Sequence, residues 1–191
     1  MNPVRSRDET TMRLKSKEAL IHMQHKQQAK KNSVNSFLPQ TSNGVKNIKR
    51  VTIGIIGTSF RGEVTHELEK RCVATLLKNG LTKSQIKMVR VPGAFEVPLA
   101  AKMMAKSKKY DALIAFGAIV KGKTYHFEQI ANECSRGCAE VSRECEIPVI
   151  FEVLAVYDFA DALDRATRKT DNKGVEAAET ALTMIKLMSE I

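Results

Sequence analysis

Apolar residues follow two alternating patterns along this chain. Nearly unbroken apolar runs rich in β-branched residues begin at Arg50 ("RVTIGIIGTSF"), Ile86 ("IKMVRVPG"), Asp111 ("DALIAFGAIV") and Ile147 ("IPVIFEVLAV"), and they have the length of buried strands. Between them, apolar positions recur every three or four residues. Val64, Leu68, Cys72, Val73, Leu76 and Leu77 predict a helix that Gly80 ends. "AFEVPLAAKMMAKS" predicts a second, which tolerates Pro98 only in its first turn. A third runs from Thr124 to about Arg143, with the stripe Phe127, Ile130, Ala131, Cys134, Cys138, Val141 and Cys145 on one face. "DFADALDRATRK" is amphipathic, and a last helix begins at Asn172. Continuous apolar strands alternating with helices imply a doubly wound α/β sandwich, a four-stranded parallel sheet flanked by helices on both faces. Ligands of such sheets sit at the carboxyl ends of the strands, which directs attention to "TSFRG", "VPGAFE", "GAIVKGKTYHF" and "FEVLAVYD".

Charge separates a tail from this body. Residues 1–50 hold 11 Lys/Arg against 3 Asp/Glu, leaving 20 against 18 in residues 51–191, so the net +10 of the 191-residue chain is mostly a property of the tail. The tail is rich in Lys, Gln, Asn and Ser and too poor in large apolar residues to close a core, so disorder is expected there. It lacks the apolar stretch of a signal peptide, and Asp8, Glu9 and Glu18 argue against an organelle transit peptide. A cytoplasmic location is expected, with organelle targeting by the extension left open. The longest apolar runs are too short and interrupted to cross a bilayer, so no membrane partner is expected. The four cysteines form no CxxC pair, and three lie on the third helix's apolar stripe, which makes them core thiols and not metal ligands. His22 and His25 have no cysteine or acidic cluster beside them and read as solvated.

Taken together, the four loops resemble lumazine synthase. The resemblance spans nearly all of residues 51–190. It rests on Phe60 after the first strand, "VPGAFEVP" after the second, "GAIVKGKTYHFE" after the third, "PVIF" in the fourth, "ALDRA" around Arg165, and "NKG" at Asn172–Gly174, in that order and at the family's spacing. It implies a three-layer flavodoxin-like sandwich. It also implies condensation of 5-amino-6-(D-ribitylamino)uracil with 3,4-dihydroxy-2-butanone 4-phosphate to 6,7-dimethyl-8-ribityllumazine, phosphate and water, with no metal and no organic cofactor.

The motif residues suit that chemistry. Imine formation and phosphate elimination both move protons near neutral pH, which an imidazole can give and take, so His126 is the candidate acid/base; alone it reads as a surface histidine. The substrate phosphate needs positive charge and backbone donors. Lys123 and Thr124 open a helix whose first amides have no internal partner, and Thr124 also reads as a plain N-cap. Arg165 offers a planar fork for phosphate oxygens, although alone it reads as a solvated helix residue. The resemblance gives Phe60 the stacking face for the pyrimidine and Glu96 the ribityl hydroxyls. Ala94, Phe95, Ala118, Ile119 and Val120 line the ring edge and ribityl chain, and Phe151 belongs to the wall presented to a neighbour. Without the motif, Phe60, Phe95 and Phe151 read as core packing. Lys173 is a candidate partner for a nearby acid or for the phosphate. The chain departs from the family where Glu152 and Thr167 replace favoured glycines, where Lys121 replaces an arginine, and at "AVYD", which replaces a Thr-rich turn.

The resemblance further implies a homo-oligomer, a ring of five whose sites lie between subunits, with Phe151 and Arg165 reaching the neighbour's Phe60, Glu96 and His126, and twelve rings can close into a sixty-subunit shell. A basic tail lining one face of such a shell gives an expectation of weak, salt-sensitive RNA association. Other readings share the architecture: a non-catalytic shell or scaffold protein, a flavin-binding module, or a related riboflavin synthase. "GTSFRGEV" lacks the Ser/Thr/Gly-rich cradle of the second, and the complete set of motif residues opposes the first.

Overall fold

The structure, a computed structural model, describes residues 48–191. The expectations placed on residues 1–47, namely disorder, RNA association and the reading of His22 and His25, lie outside the described residues. Four parallel strands, β1 (Ile53–Thr58), β2 (Ile86–Val91), β3 (Ala112–Val120) and β4 (Val149–Val156), form one sheet in the order β2-β1-β3-β4. Five helices connect and cover them: α1 (Gly62–Lys78), α2 (Val97–Lys106), α3 (His126–Cys145), α4 (Phe159–Thr167) and α5 (Lys173–Met188). The result is the expected flavodoxin-like sandwich.

Alternation along the strands divides the core into two layers. Ile53, Ile55, Ile114, Phe116, Ile150 and Leu154 point to the face covered by α1, α4 and α5, where Leu68, Leu76, Ala166 and Ala178 meet them. Ile56, Leu113, Ala115 and Val153 point to the opposite face, under α2 and α3, against Val97, Ala101, Cys134 and Val141. Every residue of β1 is buried, which is why its sequence shows no polar alternation. The cysteine stripe of α3 faces inward as expected, with Cys134 and Cys138 fully buried. No described helix is long and apolar enough to cross a membrane.

Local chemistry sets the boundaries. Gly80, at φ 97°, follows the end of α1 and adopts a conformation open to glycine at no steric cost. Pro98 falls in the first turn of α2, preceded by a tight 3-10 turn at Ala94–Glu96. α3 starts at His126, two residues later than the pattern predicts, because its first helical bond runs from the Gln129 amide to the Tyr125 carbonyl. Thr124 is therefore not the N-cap. Tyr125 holds that position without a side-chain cap.

The "NKG" segment has a structural explanation. Asn172 is buried; its Oδ1 accepts from the Gly174 amide (3.0 Å) and the Val175 amide (3.3 Å), while its Nδ2 donates to the Ala166 carbonyl at 2.7 Å and the Arg168 carbonyl at 3.1 Å. One side chain thus caps α5 and ties it to the end of α4. Gly174 lets α5 press on α1, since a Cβ there would run into the Leu68 carbonyl and come within 2.9 Å of the Arg71 Cβ. Lys173 pairs with Glu176. Asn172→Ala removes the cap and strands buried carbonyls, so it is expected to cost about 2 kcal/mol or more of unfolding free energy, read from the midpoint of a urea melt at unchanged slope.

Candidate active site at the carboxyl edge of the sheet

The strand order reverses between β1 and β3, and the turns after β1, β2 and β3 gather at the crevice this opens. After β1 the chain turns sharply: the Ser59 amide donates to the Val91 carbonyl (2.8 Å), the Phe60 amide donates to the Pro92 carbonyl (3.0 Å), and Arg61 takes a left-handed conformation at φ 56° as α1 begins. These bonds bring the first turn onto the second. Phe60 is 70 % exposed, so it is no core residue. Its ring lies against Gly93, where a Cβ would stand 2.9 Å from Cδ2 of Phe60 and 3.2 Å from Oε2 of Glu96. Gly93 has an extended backbone, so the need here is for space. Glu96 Oε2 accepts from the Gly93 amide at 3.0 Å, closing the turn that carries Ala94 and Phe95. Phe95 is also exposed, and Ala94 is buried beneath it.

β3 delivers the third turn. Ala118 is buried and Ile119 and Val120 are half-buried at its end, beside Leu154, Ala155 and Val156 of β4. Residues 121–126 are all exposed. Lys121 is tied down within this stretch: its amide donates to the Val156 carbonyl (2.9 Å), and its ammonium meets Glu128 Oε1 at 2.5 Å and lies 5.6 and 5.5 Å from the ring centres of Phe127 and Tyr157. That ammonium and Glu128's own amide hold the Glu128 carboxyl below the usual carboxylate range. Lys123 makes no ion pair among the described residues. It stands with Thr124 beside the uncapped start of the 20-residue α3, whose first amides lack intrahelical partners. His126 is the first helical residue there and is exposed.

The remaining two predicted residues lie elsewhere on the chain. Phe151 is the third residue of β4, beside Ala115 and three residues before the level of Ala118, about 10 Å back along the strand. It is half-buried and packs on the α2/α3 layer. Arg165 is exposed in the last turn of α4, on the other layer. One chain thus assembles Phe60, Glu96, the β3 end and His126, and places Phe151 and Arg165 apart from them, on opposite layers of the sandwich.

A model of the family described as 6,7-dimethyl-8-ribityllumazine synthase matches residues 50–189. The chain belongs to this family. It is accordingly a transferase of riboflavin biosynthesis. The lumazine synthase match covers every element above and leaves out most of the basic tail.

Two features of the site's surroundings leave little trace in the sequence. One is the clamp of Lys121 by Glu128, Phe127 and Tyr157; its trace is an acid two residues after His126 and an aromatic in "AVYD". The other is the buried Glu69, which accompanies the apolar stripe of α1 and pairs with Arg90 on β2. Among the described residues no group of three His, Cys, Asp or Glu side chains could hold a metal ion.

Glu152, one of the departures from the family pattern, is half-buried on the α4/α5 side of β4. Burial pushes its carboxyl up to about 7, against the pull of Lys173 and Arg165 and with help from Glu176. The native state keeps this proton up to about pH 7, whereas an ordinary glutamate loses it near 4.5. Stability therefore falls as pH rises through that window. Glu152→Gln should match the wild type at pH 4.5 and exceed it by about 1–2 kcal/mol at pH 8, a figure discounted for partial exposure. Parallel denaturant melts at the two pH values measure it.

Proposed function

We propose that the protein condenses 5-amino-6-(D-ribitylamino)uracil with 3,4-dihydroxy-2-butanone 4-phosphate, releasing phosphate and water as 6,7-dimethyl-8-ribityllumazine forms. The observation that carries this reading is the convergence of an exposed aromatic face, an exposed histidine and an uncapped helix start at one edge of the sheet. The Phe60 ring stacks on the pyrimidine, and Glu96 and the backbone of Ala94, Phe95, Ala118, Ile119 and Val120 take its ring edge and ribityl hydroxyls. Lys123, Thr124 and the first α3 amides hold the phosphate. His126, beside them, moves protons as the amine adds to the ketone, water leaves and phosphate departs.

Phe151 and Arg165 complete the site from a neighbouring subunit in this reading. Support comes from their position away from the β1–β3 crevice and from an uncovered apolar stripe along the 3-10 turn and α2, where Phe95, Leu99 and Met103 are 58, 68 and 64 % exposed at helical spacing. A ring of five copies, or a sixty-subunit shell of such rings, would cover that stripe and place Arg165 against the neighbour's phosphate.

An absorbance and fluorescence assay of lumazine formation from the two substrates tests the reaction. His126→Ala is expected to lower kcat by roughly 10²–10⁴-fold. Arg165→Ala should raise KM for the phosphate substrate by roughly 10–100-fold, the worth of a charge-assisted pair, and leave pyrimidine KM near the wild-type value. A correctly assembled wild type that makes no lumazine would overturn the assignment. Leu99→Asp puts a charge on the α2 stripe, and sedimentation velocity should then find smaller species than the wild type forms; an unchanged particle would remove the stripe from the subunit contact.

A further inference from the structure

Glu69 is 4 % exposed in the middle of α1, an environment that charges leave unless something holds them. Its partner is Arg90, near the end of β2, with Nη2 donating to Oε2 at 2.8 Å. The second carboxylate oxygen, Oε1, is buried with no hydrogen-bond partner among the described residues. A pair left half-satisfied in this way is a poor source of stability compared with apolar packing. The geometry around it suggests another use.

Both charged groups lie on Gly57, whose missing Cβ makes the room. From there Arg90 Nη1 donates to the Thr58 carbonyl at 3.2 Å. Thr58, the last residue of β1, is buried; its hydroxyl donates to the Phe60 carbonyl at 3.2 Å and meets the Thr65 hydroxyl at 3.2 Å. The Phe60 amide is in turn held by Pro92, which follows β2 directly. Every polar backbone group of Phe60 is thus fixed through β1 and β2, and Arg90 joins those two strands from behind. The Arg90 fork is spent on Glu69 and Thr58, so it is not a phosphate ligand.

We propose that the Glu69–Arg90 pair is a positioning device for the pyrimidine half of the site, fixing the turn after β1 and, through Thr58, the plane of the Phe60 ring. The proposal rests on the reading of Phe60 as the stacking face. It predicts selectivity between substrates: the pyrimidine depends on the pair, and the phosphate, held at the start of α3, does not.

The test uses the assembled full-length protein and three variants. Arg90→Met keeps the length and removes the donors, Arg90→Lys restores a charge for Glu69, and Thr58→Val cuts the link to Phe60 while leaving the ion pair in place. The pyrimidine binds without turnover when the second substrate is withheld, so its Kd is read by titration calorimetry. Arg90→Met and Thr58→Val are expected to weaken it about tenfold, with Arg90→Lys in between, and KM for the phosphate substrate should stay within about twofold. Amide hydrogen exchange at Ser59 and Phe60 should quicken in Arg90→Met. Unchanged pyrimidine affinity and unchanged exchange would overturn the proposal, and so would equal weakening of both substrates, the mark of a merely structural pair. If Arg90→Met does not assemble, Thr58→Val decides by the same criteria. A wild type that binds no pyrimidine would sink the reading of the site; a wild type that binds it no better than Thr58→Val and Arg90→Met would sink only this inference.

Discussion

Burial of the central strands β1 and β3 on both faces is the constraint from which the rest follows. Parallel strands cannot be joined by tight hairpins, so each connection crosses back as a helix, and all strand-to-helix turns collect at the carboxyl edge. Close packing at the centre demands small residues. A Cβ on Gly117 of β3 would stand 2.9 Å from the Thr58 side chain, and one on Gly54 of β1 would meet Leu113 at 2.7 Å. With β1 and β3 pressed between two layers, the turn after each leaves the core at a fixed point. The Phe60 turn and the His126 helix start are therefore positioned by the interior more than by their own contacts.

Charge at that edge is sorted in a way that favours an anion at one place. Lys121 spends its ammonium on Glu128 and on two aromatic faces, which anchors the turn after β3 to the turn after β4. What remains beside the α3 start is Lys123, a threonine and unpartnered amides. A cation already committed to a carboxylate adds little field at a distance, whereas the helix terminus and an unpaired lysine act together. In the proposed reaction this puts the phosphate at the head of α3, beside the imidazole that must assist its departure.

Most of the fold was legible in the sequence because β1 and most of β3 are buried on both faces and so lack the polar alternation that makes short strands ambiguous, whereas the edge strand β2, which reads as buried, is largely exposed. The helix stripe of α3 and the place of Pro98 came through for the same reason: each is set by burial, which leaves a periodic trace. What escaped was fixed by single contacts. Thr124 looks like a cap, yet the first helical bond falls one residue later, at Tyr125. Asn172 and Gly174 were visible only as a motif, and their roles as a two-ended cap and a helix-contact glycine need the α1–α5 packing to be known. Glu69 and Arg90 are 21 residues apart, so no local pattern could pair them. Phe60, Phe95 and Phe151 show the limit most clearly. Without the family motif all three read as core, yet the fold buries half of one and exposes the other two.

The position of Phe151 and Arg165 bears on how such a site could work. Phe151 is half-buried on β4 and Arg165 exposed on α4, on opposite layers of the sandwich, whereas Phe60 and His126 leave the same edge at the β1–β3 reversal. In the proposed reaction a second copy supplies Phe151 and Arg165, and the cost of orienting two catalytic surfaces is then met once, at assembly, in place of at each turnover. Glu152 sits at this junction, one residue after Phe151 and within the field of Arg165. A carboxyl that ionises near neutral pH there changes the charge surrounding the arginine, so in the proposed assembly the departure from the family pattern falls on the part of the site that a neighbour completes.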